Sequence, residues 1–115
     1  MKPDKPTSKE RLEHALNAIK SIQSYTAGHT EESFLNDPKA LDASMYQFTI
    51  IGEAIANVEE DILKKYPYPW YKVKSFRNFI LHEYHAIELR VIWDTAMNML
   101  PEFKILIENI LKNEF

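Results

Sequence analysis

The sequence predicts an all-α domain, an antiparallel bundle of four main helices. Two observations carry this. Apolar residues recur at three- and four-residue spacing through most of the chain, the period of a helix with one buried face. No stretch alternates apolar and polar residues over a strand's length. Short turns between long helices then favour an antiparallel arrangement.

Residues 1–7 form a Pro- and Lys-rich tail expected to be disordered, and residues 8–115 form the helical domain. Thr7 and Glu10 are spaced as a capping box, in which each side chain satisfies a free backbone N–H of the other's turn. Leu12, Ala15, Leu16, Ile19, Ile22 and Tyr25 mark the first helix, with Gly28 as its stop. His29 to Asn36 reads as a polar connection. Asp37-Pro38 is an N-cap followed by proline at the first helical position. Leu41, Met45, Phe48, Ile51, Ile55, Val58 and Ile62 extend the second helix towards Tyr66, where Pro67 and Pro69 end it. Gly52 in its middle costs about 1 kcal/mol relative to Ala and marks a close approach by another backbone.

The third helix is expected from Pro69 to Tyr84. His85 to Ile87 is a break. The fourth helix begins near Ile87, is bent or restarted by Pro101, and runs to the C-terminus.

The length is that of one domain. The 27% of charged residues is ordinary for a water-exposed surface, and the net charge is −3. The chain has no cysteine, which excludes disulfides, thiolate metal sites and a thiol nucleophile. No apolar run reaches the roughly 18 residues of a membrane span. The first residues lack the apolar segment of a secretory signal. The expected setting is the cytoplasm. The basic residues are scattered, with the densest group between Lys64 and Arg77. Contact with nucleic acid is therefore expected to be local rather than along an extended stripe.

Arg77-Asn78-Phe79-Ile80-Leu81-His82-Glu83-Tyr84 is the most chemically loaded stretch. At about 100° per residue, Val73, Phe76, Phe79 and Ile80 share a core arc. Asn78, His82 and His85 fall opposite it, and Arg77 and Tyr84 share an edge. An arginine near a histidine is the minimum set for phosphodiester cleavage without a metal. Histidine exchanges protons near working pH, and the guanidinium offers a planar fork to phosphate oxygens. Asn78, one turn before His82, can orient its ring or hold a phosphate oxygen. Other readings stand beside this one. His82 and His85 are spaced as metal ligands, although no third ligand is evident. Tyr84 suits a core position as well as a site. Trp70, Trp93, Met45, Met97 and Met99 read as core or interface packing.

The same stretch resembles the toxin form of the HEPN ribonuclease motif: arginine, four residues, histidine, any residue, tyrosine. Arg77, His82 and Tyr84 occupy those positions, and Asn78 follows the arginine as the family's polar residue does. Ile51-Gly52-Glu53-Ala54, Pro69-Trp70, Val91-Ile92-Trp93-Asp94 and Leu100-Pro101 are similar to landmarks of the HepT-like branch.

The resemblance implies a four- to five-helix HEPN bundle that forms a homodimer, with two motifs facing one cleft. It implies a metal-independent endoribonuclease toxin of a type II toxin–antitoxin pair, with Arg77, Asn78 and His82 acting on RNA. It implies no cofactor. The partner would be a nucleotidyltransferase antitoxin of the MntA type, which attaches AMP to Tyr84, and the homodimer could join it in a higher hetero-oligomer. The alternative is a HEPN module without catalysis that only binds such a nucleotidyltransferase.

Overall fold

A computed structural model describes residues 5–83 and 88–115. Among these residues the chain is helix and turn, with no strand, as the periodicity predicts. Helix α1 (Ser8–Thr26) starts on the expected capping box: Thr7 Oγ1 accepts from Glu10 N at 3.1 Å, and Glu10 Oε1 accepts from Thr7 N at 3.0 Å. Its buried face is Leu12, Ala15, Ala18, Ile19, Ile22 and Thr26. Thr26 takes the inward position expected of Tyr25, and its hydroxyl donates to Ile22 O, so its polar group is satisfied inside the helix. Gly28, just past the end, has φ +78°, a conformation that glycine adopts without steric cost.

The segment read as a polar connection contains a helix, α2 (Glu31–Leu35). Thr30 caps it, and Ser33 bonds back to the cap. Phe34 is fully buried and meets Trp93 with ring centroids 5.2 Å apart. One buried aromatic in five residues leaves no period to read, so the short helix was invisible to spacing arguments.

Helix α3 (Pro38–Ala56) begins as expected, with Asp37 Oδ1 accepting from Lys39 N and Ala40 N. It ends well before Tyr66. Asn57 Nδ2 donates to Glu53 O at 2.8 Å and takes up one of the helix's last carbonyls, the competition with helix continuation that asparagine favours. A separate turn, α4 (Glu60–Leu63), follows, anchored to the start of α1 by Glu59 N donating to Ser8 Oγ at 3.0 Å. Val58 is buried and Ile62 packs partly buried against the core, which is why the apolar pattern reads as one helix; Leu63 takes the fully inward position.

Trp70 starts α5 (Trp70–His82) and ties it to α4, with Nε1 donating to Leu63 O and Tyr66 O. The helix stops at His82, short of the expected Tyr84. Tyr84, His85 and the expected break up to Ile87 lie outside the described residues. The last helical run has three parts: α6 (Arg90–Asp94), a π-helical turn at Thr95–Met99, and α7 (Leu100–Glu114). Pro101 has no N–H for the carbonyl four residues back, and its ring crowds that carbonyl, so the turn before it widens. The bend expected at Pro101 is thus this π turn. Ile92, Ala96, Leu100, Phe103, Ile107 and Ile110 keep one buried face through it.

Helix α3 packs between α1 and α5, and α7 packs on α1. Phe76 meets Phe48 edge-on at 5.1 Å. Phe79, assigned to the core arc by the helical wheel, is 38% exposed. Helix α5 packs chiefly on α3 alone, so only the part of the arc that faces α3 is covered, and Ile80 is its one buried residue.

The C-terminus is latched by Glu114, which accepts from Lys65 Nζ at 2.9 Å and Tyr66 OH at 2.8 Å. The Lys65 hydrogen bond, then that of Tyr66, hold the Glu114 carboxyl below its usual value of 4.5, and the Thr7 backbone N–H does the same for Glu10. A depressed folded-state pKa stabilises above the unfolded value and loses that contribution as pH falls through the folded one. Stability is therefore expected to fall below about pH 4.5. Glu114→Gln should flatten that slope in thermal melts taken across the acid range, and an unchanged slope would remove Glu114 from the latch.

Candidate active site

The site is built where α5 crosses α3. The two helices run antiparallel, bringing Arg77 over Gly52. A Cβ on Gly52 would lie 2.3 Å from Arg77 Cβ. The glycine therefore admits a side-chain stem, where the sequence suggested the approach of a backbone. Gly52→Ala gains up to about 1 kcal/mol of helix propensity but forces overpacking that costs ~1–3 kcal/mol. The expected result is a lower melting temperature and a displaced Arg77. A variant that melts at or above the parent temperature would contradict this close crossing.

With its stem on Gly52, Arg77 is partly buried, its side chain 23% exposed. The helical wheel placed it clear of the core face, and the structure corrects that. The guanidinium is held from two sides. Nη1 donates to Glu53 Oε2, while Nε and Nη2 donate to Asn78 Oδ1 at 3.1 and 2.8 Å. Asn78 thus orients the arginine; the sequence reading gave it to the histidine ring or to a phosphate. Arginine carries five N–H donors, and among the described residues these contacts engage three, so two can meet an incoming phosphate oxygen.

His82 is the last residue of α5 and is exposed. Glu83 caps the helix, its N–H bonding to Phe79 O at 2.9 Å. The imidazole is therefore presented to solvent at a helix end, one and a half turns from Arg77 along the same helix. Tyr84 lies outside the described residues, and α5 ends at His82, so the expected position of Tyr84 on Arg77's helical edge does not follow from α5. Among the described residues no group of three His, Asp or Glu side chains is placed to hold a metal ion, and no helix is long and apolar enough to cross a membrane.

Glu53 is the site residue that spacing arguments missed. In the sequence it stands only as part of the Gly52-Glu53-Ala54 landmark. Its signal was adjacency to Gly52: the residue beside a helix-crossing glycine is carried to the edge of the crossing, within reach of whatever side chain lies there.

Comparison with known proteins gives the family. The family model "Ribonuclease HepT-like" matches residues 15–110. "Probable ribonuclease HepT" of Thermococcus cleftensis is 32% identical over 109 residues, covering 94% of this chain and 99% of that protein. A candidate RNase of Methanocaldococcus jannaschii is 35% identical over 99 residues, covering 85% of this chain and 82% of the relative. Another, from Caldanaerobacter subterraneus, is 30% identical over 109 residues, covering 94% and 97%. No solved structure matches the chain at a significant level. With the family model covering most of the chain and relatives aligned along nearly all of it, this protein belongs to the HepT-like ribonuclease family.

Proposed function

We propose that the protein is a metal-independent endoribonuclease toxin, neutralised by a nucleotidyltransferase antitoxin that places AMP on Tyr84. The observation that carries the reading is Arg77, fixed by Glu53 and Asn78 with two donors to spare, on the same helix as an exposed His82. A fixed guanidinium stabilises charge that develops on phosphate oxygens in the transition state. Histidine moves the proton. The ribose 2′-hydroxyl attacks phosphorus and gives up its proton, the bond to the 5′-oxygen breaks, and that oxygen takes a proton as it leaves. The products are a 2′,3′-cyclic phosphate and a 5′-hydroxyl.

One exposed histidine and one arginine do not enclose a substrate. Phe79 and Leu81 within the motif, and Leu89 and Val91 after it, are between 37% and 56% exposed. Apolar residues left uncovered beside a site support a second copy packing there, with two-fold symmetry bringing two motifs to one cleft. The cytoplasm, where RNA and the antitoxin meet, is the place of action under this reading. The purified protein should cleave RNA equally with and without EDTA, and light scattering should give a dimer. Loss of cleavage in EDTA would overturn the metal-independent mechanism, and full activity of a monomer would overturn the shared cleft.

A further inference from the structure

A groove runs between α1 and α3, its volume about 500 Å³, within the ~300–1,000 Å³ range of ligand sites. Polar and charged side chains are set among its apolar lining. Helix α1 contributes Arg11, His14 and Asn17; α3 contributes Tyr46, Gln47 and Glu53. Two of these residues connect it to the site described above. Glu53 is the carboxylate that holds Arg77. Tyr46 also lines a second groove, between α3 and α5, together with Leu81, the neighbour of His82 in the chain. The groove therefore borders the region of Arg77 through Glu53 and shares Tyr46 with the groove beside Leu81.

Two further observations indicate what the groove takes. Tyr46 is 62% exposed, a large ring with one side uncovered. Arg11 Nε is buried yet finds no hydrogen-bond acceptor among the described residues. Nε itself is enclosed, so a ligand's acceptor would meet the terminal N–H groups of the same half-buried guanidinium. An exposed aromatic ring beside a cation with spare donors is the equipment for a single-stranded nucleotide: the base stacks on the ring and the phosphate meets the cation.

We infer that the groove between α1 and α3 binds a nucleotide of the RNA strand flanking the scissile phosphate. Tyr46 stacks its base, and Arg11, with His14 beside it, takes its phosphate. The amides of Asn17 and Gln47 face the base edge and give this subsite its sequence preference. The inference rests on the ribonuclease reading and adds to it a binding register outside the cleavage motif.

The test uses the full chain carrying His82→Ala, so that RNA is bound and not cut. Binding of a fluorescent decauridylate and of the dinucleotide UpU is followed by anisotropy. Adding Tyr46→Ala should weaken decamer binding about tenfold, the effect of one lost base–aromatic stack. Tyr46→Phe should restore it, and UpU, too short to fill both sites, should bind all three proteins alike. Arg11→Gln should reduce the slope of log affinity against log salt by about 0.7, one phosphate contact on a single strand.

Decamer binding that Tyr46→Ala and Arg11→Gln leave unchanged overturns the subsite while the ribonuclease reading stands. Dissociation of a dimer by Tyr46→Ala also overturns it, because the groove is then an interface between copies. A His82→Ala protein that binds no RNA, together with a parent that cleaves none, overturns the ribonuclease reading and the subsite with it.

Discussion

His82→Ala is expected to lower RNA cleavage by ~10²–10⁴-fold, the range for losing a general acid–base group, and to relieve growth arrest, with no change in melting temperature. The second half follows from exposure. His82 ends α5 and faces solvent, so its removal opens no cavity. Arg77→Ala should be as damaging to cleavage, since removing one preorganised donor to a developing oxyanion commonly costs ~10²–10³ in rate. Its stability should also fall, because the Arg77 stem packs against Gly52 and its head joins α5 to α3 through Glu53. Arg77→Lys separates the two effects. It keeps the stem and a charge that Glu53 can pair, and it loses the planar fork that Asn78 and a phosphate share. Near-parental melting with strongly reduced cleavage is the expected outcome. Cleavage by His82→Ala at the parent rate would take the histidine out of the chemistry.

The second large effect concerns control. Incubation with the cognate nucleotidyltransferase and ATP is expected to add AMP to Tyr84 and to silence the ribonuclease. Tyr84 follows His82 by two residues, so a nucleotide on its hydroxyl is tethered beside the site. The phosphodiester so formed is anionic, and Arg77 has donors left to pair with it as it would with substrate. The modification thus competes for the guanidinium and fills the cleft. Tyr84→Phe keeps the ring and loses the acceptor hydroxyl, so it should remain active in the presence of the partner and ATP. Intact mass with peptide mapping decides between the outcomes. AMP on another residue, or inhibition with none attached, would mean that the partner acts by masking.

Much of the fold was legible in the sequence because its strongest signals are local. The Thr7–Glu10 box and the Asp37-Pro38 cap fix the starts of α1 and α3 through hydrogen bonds that span three residues. Helix ends were harder. Val58 and Ile62 pack against the core from outside α3, so apolar spacing runs on past Asn57, where the helix stops. At α2, one buried phenylalanine gave no period. The candidate motif is legible as residue types and as a resemblance, whereas its geometry depends on a tertiary contact. Nothing in the spacing of residues 77 to 84 indicates that Glu53, on another helix, holds Arg77, or that Asn78 turns towards the arginine. The wheel also assumed a helix reaching Tyr84, and α5 ends at His82.

The central claim is that Arg77 and His82 cleave RNA through the 2′-hydroxyl without a metal. Its most direct test is an end-group analysis of RNA digested by the purified protein in excess EDTA, with His82→Ala run beside it. The account predicts fragments ending in 2′,3′-cyclic phosphate and beginning with 5′-hydroxyl, from the parent protein alone. Fragments carrying 5′-phosphate and 3′-hydroxyl would contradict it, as would equal cleavage by His82→Ala. No cleavage by a parent protein that still binds a nucleotidyltransferase would instead make this chain an interaction module.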